Sequence, residues 1–193
     1  MNAPNLPSPT GGGAGGEGNR LTEESATTPS PLAPLPKGEG ENGLVWLWLS
    51  ALVIVLDQLT KLLVIDHLAL YEAIPLTGFF NLVRAHNTGA AFSLLADQPG
   101  WQRLFFLAVG LIASGIIFHL LRKTQGRPLF SGSLALILGG ALGNVIDRIA
   151  HGYVVDFLDF YLGTWHWPAF NVADSAITVG AVLLVVDSLH KPR

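Results

Sequence analysis

The chain has 193 residues, of which 50% are hydrophobic and only 13% are charged, and its mean hydropathy is +0.45. This balance is typical of a membrane protein and excludes an ordinary soluble domain. The net charge of −3, with no basic stretch interleaved with aromatic residues, excludes a nucleic-acid partner, and the lack of cysteine excludes disulfides, thiolate metal sites and a cysteine nucleophile.

Residues 1–43 carry seven of the twelve prolines and nine of the twenty-two glycines. A segment of this composition cannot bury a core, so we interpret it as a disordered cytoplasmic tail. It has no basic start followed by an apolar run and a cleavage site, as a secretory signal has. The first span is therefore expected to be an uncleaved anchor.

Four apolar segments are long enough to cross a bilayer, which takes about 20 residues because a helix rises ~1.5 Å per residue through a hydrocarbon core of ~30 Å. The sequence therefore predicts a membrane all-α bundle of four transmembrane helices, within a domain that covers residues 44–190. The predicted spans are 44–65, 104–121, 129–149 and 172–189.

Lysine and arginine near the span ends predict the orientation, because cytoplasmic loops are enriched in them. Six of these residues fall on one side of a four-span arrangement, which places both termini in the cytoplasm and the two aspartates that flank the last span, Asp156 and Asp174, at the extracytoplasmic face. The six are Lys37, Arg122, Lys123, Arg127, Lys191 and Arg193, and the other side holds Arg84, Arg103 and Arg148.

The two connections on the predicted extracytoplasmic side have sequence patterns of their own. Residues 70–98 alternate and contain aromatics between prolines and glycines, which predicts a small extracytoplasmic β element. Residues 151–169 are rich in aromatics of the kind found at membrane interfaces, so we expect a loop that lies along the membrane surface.

The first span contains Asp57 and Lys61, four residues apart on one helix face, where opposite charges can pair. We favour a structural ion pair here over a catalytic role. In the third span, Gly139 and Gly143 have the spacing that allows helices to approach closely.

Asn144, Asp147 and Arg148 project from neighbouring positions around the last turns of the third span. Arg148 is expected to pair with Asp147 or with another carboxylate. A structural polar network and a functional site both fit this pattern, and the residues alone leave the two open.

The last span is flanked by two carboxylates. Asn171, three residues before Asp174, has the pattern of a helix N-cap, and capping alone would account for both. It would not account for Asp156, which lies in an apolar run, with Asp159 as its competitor. Charged groups at such depths are costly and are functional candidates.

Other chemistries have weaker patterns. His86, His119, His151 and His166 lack the spacing of a metal-ligand set, and Ser93 with Lys61 is the one serine-hydrolase pair left open. A small transporter or proton-relay protein would use Asp57, Lys61, Asp147 and Arg148 as a pathway. A non-catalytic assembly subunit is the third class.

Five short strings occur in order along residues 44–190: DQLTK from residue 57, NTGAAFSLL from 87, GNVIDR from 143, GYVVDFLDF from 152 and FNVADSAI from 170. Each is weak alone, but together their order and spacing resemble those of the bacterial lipoprotein signal peptidases, or signal peptidase II. The tail before residue 44 is not covered, and it is longer than the short cytoplasmic start of that family.

This resemblance implies an intramembrane aspartic endopeptidase, without metal or organic cofactor, that removes the signal peptide from diacylglyceryl-modified prolipoproteins by cleaving before the lipidated cysteine. It implies that Asp156 and Asp174 are catalytic, while Asn87, Asn144, Arg148 and Asn171 match the family's polar residues near the active site, and Asp57 with Lys61 matches its first motif. Asp147 is expected to be a structural polar residue. We expect a monomer in the lipid of the bacterial inner membrane, with a lipid-modified prolipoprotein as its partner.

Overall fold

The computed structural model describes residues 41–89 and 100–190 of the chain. Several features named above lie outside these residues: the tail over residues 1–40, the predicted strand residues 90–98 with Ser93, and the charged residues Lys37, Lys191 and Arg193.

Within the described residues, four helices are long and apolar enough to cross a membrane, which confirms the predicted bundle. The first is preceded by a 3-10 turn, Gly43–Trp46, and the connection between the second and third takes only four residues. The helices are α1 (Leu47–His67), α2 (Trp101–Lys123), α3 (Pro128–Ala150) and α4 (Val172–Leu189).

Helix α3 is the centre of the bundle and packs against each of the other three helices. Within its most apolar stretch 61% of the residues are buried, compared with 17–28% in the other helices. The small residues predicted to allow close approach are at these contacts: a Cβ atom at Gly139 would lie 2.8 Å from the Val53 Cβ atom of α1. The backbone of α4 comes similarly close to Gly140 at Ala173.

The outer faces of the other helices are apolar. Leu63 of α1 is 60% exposed, Ile112 of α2 is 64% exposed and Val182 of α4 is 57% exposed. Continuous apolar surface of this kind would be unfavourable in water and is typical of a surface that faces lipid.

In the part of the chain that the structure describes, an antiparallel four-stranded sheet, in the order β1-β2-β3-β4, lies beside the helices. The first two strands fall in the segment where strands were predicted. The strands are β1 (Ala73–Thr77), β2 (Phe80–Asn87), β3 (Val154–Leu162) and β4 (Trp165–His166).

The prediction of a loop over residues 151–169 was wrong for residues 154–162, which form β3 and pair with β2. The run from Val154 to Phe157 is buried throughout, so the alternation that identifies a half-exposed strand is missing. The strand conformation of this run depends on its pairing with β2, which lies about seventy residues earlier in the chain, and not on a local pattern.

The sheet brings the two aspartate-bearing segments together. Strand β3 begins soon after α3 ends, through a turn in which Gly152 has a φ of 85°, a left-handed conformation that favours glycine. Near the start of α4, Phe170 accepts hydrogen bonds from the backbone N–H groups of Phe157 (3.0 Å) and Leu158 (2.8 Å). The first turn of α4 is thereby fixed next to the middle of β3.

Candidate active site

Asp156 of β3 and Asp174 of α4 line the same cavity, which has a volume of about 790 Å³. The cavity lies where the sheet meets the ends of α3 and α4, and its wall is mostly apolar. Besides the two aspartates, its lining includes Ala85, Asn87, Arg148, Trp167, Phe170, Ser175 and Val179.

Asp156 is 2% exposed and is held by two amide groups. The strand register places Ala85 opposite Asp156, so Asn87, two residues further along β2, shares its face of the sheet. Asn87 donates from Nδ2 to Asp156 Oδ2 (2.9 Å), and Asn171 donates from Nδ2 to Asp156 Oδ1 (2.7 Å).

Burial raises the pKa of Asp156 to about 7, and the nearby charge of Asp174 adds to this effect. The amides of Asn87 and Asn171, and the charge of Lys61, act in the opposite direction. A carboxyl group with a pKa near 7 exchanges a proton at neutral pH, which is the property that general acid–base catalysis requires.

Asp174 lies in the first turn of α4, where the helix dipole favours a negative charge. Its backbone N–H group donates to Asn171 Oδ1 (2.9 Å), so the predicted N-cap is present. Its side chain accepts a hydrogen bond at Oδ1 from Asn144 Nδ2 of α3 (2.8 Å).

Asn171, which is fully buried, joins the two aspartates through a single amide group. Its oxygen caps the helix at Asp174 while its nitrogen donates to Asp156. Capping and a functional site had stood as alternatives for Asn171, but one side chain makes both kinds of contact.

Arg148 was predicted to pair with Asp147 or with another carboxylate, and its contacts differ from both expectations. Its guanidinium donates to the backbone oxygens of Asn144 (3.3 Å) and Gly89 (3.0 Å) and lies over the Phe106 ring, and it forms no ion pair with any residue that the structure describes. Consecutive residues of a helix project ~100° apart, so Asp147 faces α1 while Arg148 faces the cavity.

Asp57 and Lys61 form the ion pair predicted from their spacing, with 2.7 Å between Lys61 Nζ and Asp57 Oδ2. Lys61 also contacts Asp147 Oδ2 at 2.9 Å. Gln58, which was not among the predicted site residues, donates to Asp147 Oδ1 (2.8 Å) and Asp57 Oδ2 (3.2 Å). Its position inside the DQLTK string next to Asp57 was the available indication.

Asp159, the competitor of Asp156, is three residues further along β3 and therefore projects from the opposite face of the strand. Its carboxylate accepts a hydrogen bond from Asn81 Nδ2 (2.8 Å) and contacts His166 Nδ1 (3.0 Å). Among the described residues no group of three or more His, Asp or Glu side chains could hold a metal ion, and His86 stacks on Tyr153 with ring centroids 3.7 Å apart.

Two carboxyl groups that share a cavity and an amide network can divide the work of an acid and a base. Because like charges at one site cannot both form cheaply, such a pair holds one proton over part of the pH range. The ionised group can activate water and the protonated group can donate a hydrogen bond, which is chemistry suited to the hydrolysis of a peptide bond.

Comparison with known proteins gave consistent matches. A family model described as signal peptidase (SPase) II matches residues 49–190. A lipoprotein signal peptidase of Paraburkholderia phytofirmans is 56% identical over 160 residues, which cover 82% of this chain and 93% of the relative. A lipoprotein signal peptidase of Cupriavidus taiwanensis is 55% identical over 150 residues, which cover 78% of this chain and 85% of the relative.

Two solved structures share the fold. Each is a bacterial membrane enzyme structure obtained by the in meso method, one at 2.3 Å resolution with a TM-score of 0.69 and one at 1.9 Å with a TM-score of 0.67. Both are 28% identical to this chain and cover 77% of it, and the chain covers 93% and 94% of them.

Proposed function

The chain belongs to the signal peptidase II family, and on that premise we propose that Asp156 and Asp174 are the catalytic pair with which it cleaves prolipoproteins. It is a membrane-embedded aspartic peptidase, as the order of its motifs predicted. The observation that carries the assignment of the pair is that both carboxyl groups line one cavity and are joined through the amide of Asn171. Family membership favours this function over the transporter and assembly-subunit hypotheses.

In the proposed mechanism the pair holds one proton when substrate binds. Asp174, in the first turn of α4, takes a proton from a water molecule as that water attacks the scissile carbonyl carbon. Asp156, whose pKa is raised to about 7, donates a hydrogen bond to the carbonyl oxygen and then a proton to the leaving amine. The peptide bond is hydrolysed without an acyl-enzyme.

The polar residues around the pair have positioning roles in this proposal. Asn87 and Asn171 hold the carboxyl group of Asp156, and Asn144 holds that of Asp174. Arg148 orients the backbone at Gly89, which lies in the cavity wall. Donors that are already in place when charge develops stabilise a transition state more than mobile ones do.

The substrate in this proposal is a diacylglyceryl-modified prolipoprotein, which is cut just before its lipidated cysteine. One feature that supports a lipid-anchored substrate is the continuation of the cavity wall along α4 to Val179, which is 51% exposed on the apolar outer face. A substrate held in the membrane by its acyl chains can therefore enter sideways between helices.

We also propose that the protein is a monomer in the bacterial inner membrane, with both termini cytoplasmic and the cavity near the extracytoplasmic face.

The assignment is tested with purified protein and a diacylated prolipoprotein, scored by the mass lost with the signal peptide. Asp156→Asn and Asp174→Asn should each reduce kcat by at least about 1000-fold, because each removes a group that carries a proton in the reaction. Asp159→Asn is the matched control, since it changes a buried carboxylate of the same strand on the opposite face, and it should stay within a few-fold of the unmodified protein. Full processing by either of the first two variants would remove the assignment.

A further inference from the structure

A second buried charge cluster lies beside the proposed catalytic pair. Lys61 of α1 stands between Asp57 of the same helix and Asp147 of α3, and the three residues are exposed by 2%, 0% and 2%. Removing charges from water costs about as much as their attraction returns, so a buried ion cluster is a poor source of stability. Its contacts with the surrounding backbone indicate another role.

Each carboxylate of the cluster holds the backbone just before one of the proposed catalytic aspartates. Asp57 Oδ1 accepts a hydrogen bond from the N–H group of Ala173, which precedes Asp174 (2.9 Å). Asp147 Oδ2 accepts one from the N–H group of Val155, which precedes Asp156 (3.1 Å). The ammonium group of Lys61 therefore connects the anchors of both segments.

Lys61 also fixes the orientation of one amide at the site. Its Nζ atom donates to Asn144 Oδ1 (3.1 Å), and an ammonium group can only donate. The oxygen of the Asn144 amide must therefore face Lys61, which leaves the Nδ2 atom to donate to Asp174 Oδ1 (2.8 Å).

We propose that Lys61 is a positioning residue, which sets the separation of the segments that carry Asp156 and Asp174 and the direction of the Asn144 amide. This inference rests on the catalytic pair proposed above. Lys61 does not touch substrate, since it is buried among Asp57, Asp147 and Asn144 and is absent from the cavity lining. It therefore acts on the site through the residues that it contacts.

The charge of Lys61 has a consequence that a purely structural contact would not have. It lowers the pKa of Asp156, against the effects of burial and of Asp174. Without that charge Asp156 keeps its proton to higher pH. The alkaline limb of kcat against pH should therefore shift to higher pH.

The main test is Lys61→Met, which keeps an unbranched side chain and removes the charge. We expect kcat to fall about 100-fold, because a small misplacement of reacting groups has an effect of that size, while KM stays within about threefold. The alkaline limb of kcat against pH should move up by at least about half a unit. The substrate is the same diacylated prolipoprotein.

Arg127→Met is the matched control. It removes the ion pair between Arg127 of the α2–α3 connection and Asp187 of α4, at the other end of the bundle from the cavity. It should lower the melting temperature and leave both kcat, at a temperature where the protein is folded, and the pH profile unchanged.

Different variants test the positioning role of Lys61 and the catalytic role of Asp156 and Asp174. An unchanged kcat and pH profile in Lys61→Met, or a raised KM at constant kcat, would overturn the positioning role. If Lys61→Met does not fold, Asp57→Asn carries the test, with kcat expected to fall at least about tenfold at constant KM and an unchanged kcat overturning the role. Full activity of Asp156→Asn or Asp174→Asn would refute the catalytic pair, whatever Lys61→Met shows.

Discussion

The carboxyl group of Asp156 is subject to opposing effects. Burial and the charge of Asp174 favour its protonated form, while hydrogen bonds from Asn87 and Asn171 and the charge of Lys61 favour the ionised form. The result is a pKa of about 7, where small changes in the surroundings alter the protonation state at physiological pH.

The first prediction follows from this balance at the level of a single residue. Asn87→Ala removes a donor that stabilises the ionised form of Asp156, so the pKa of Asp156 should rise. Because the mechanism requires one proton on the pair, the active form should persist to higher pH. We expect the alkaline limb of kcat against pH to move up by about 0.5 to 1 unit.

The control for this experiment is Asn81→Ala. Asn81 of β2 donates to Asp159 as Asn87 donates to Asp156, but on the opposite face of the sheet. Its removal should leave the alkaline limb in place. A limb in Asn87→Ala that stays where it was, or moves to lower pH, would contradict the prediction.

At the level of elements, the glycines of α3 determine how closely the helices approach the site. A Cβ atom at Gly143 would lie 2.7 Å from Asp57 Oδ2, so it would press on the Asp57 carboxylate of α1, and it would be in van der Waals contact with Ala173 Cβ of α4 at 3.4 Å. Gly143→Ala should destabilise the protein by about 1–3 kcal/mol through this overpacking. Because the displaced Asp57 carboxylate holds the backbone next to Asp174, kcat should fall as well.

Gly115→Ala of α2 provides the comparison. A Cβ atom there meets nothing within 4 Å, so the substitution should be neutral or stabilise the helix by about 0.5–1 kcal/mol. The measurements are thermal unfolding in detergent and kcat for both variants. If the two substitutions changed the unfolding temperature and kcat equally, close packing at Gly143 would not be the cause of the effect.

Elements with a local sequence pattern were predicted, and contacts between distant segments were not. The four helices were predicted because an apolar run of sufficient length has few alternatives in a membrane. Strand β3 was missed, because its buried run lacks alternation and its partner β2 is distant in the chain. The same limit applies to side-chain pairing: Asp57 with Lys61 followed from a four-residue spacing, whereas Asp147 reaches Lys61 from another helix.

Within the site, the sequence identified which residues to consider but not how they are connected. Asp156 and Asp174 stood out as carboxylates beside an apolar span, and the N-cap at Asn171 followed from local spacing. The second contact of Asn171, to Asp156, depends on the sheet and could not be predicted. Neither could the contact of Arg148 with the backbone of Gly89.

At the scale of the whole molecule, we propose that residues 44–190 form the complete peptidase domain. The family match begins at residue 49, and both aspartates and all their described partners lie beyond it. A chain without residues 2–40 should therefore insert and process the prolipoprotein with kcat within about twofold of the full chain. Asp156→Asn in the shortened chain is the inactive control, and a large loss of kcat on shortening alone would contradict the domain boundary.

The proposed orientation is the last prediction, and the chain's lack of cysteine makes it directly measurable. The α2–α3 connection is flanked by Arg122, Lys123 and Arg127, which predicts a cytoplasmic position for this end of the bundle and for the end of α4 near His190. The sheet then lies on the extracytoplasmic side of the membrane. Tyr71, in the connection between α1 and β1, is 73% exposed on that side. In cells with a permeabilised outer membrane, a membrane-impermeant maleimide should label Tyr71→Cys at once and label His190→Cys only after the inner membrane is opened. The reverse pattern would place the cavity on the cytoplasmic side, where a lipid-anchored substrate exported across the membrane could not reach it.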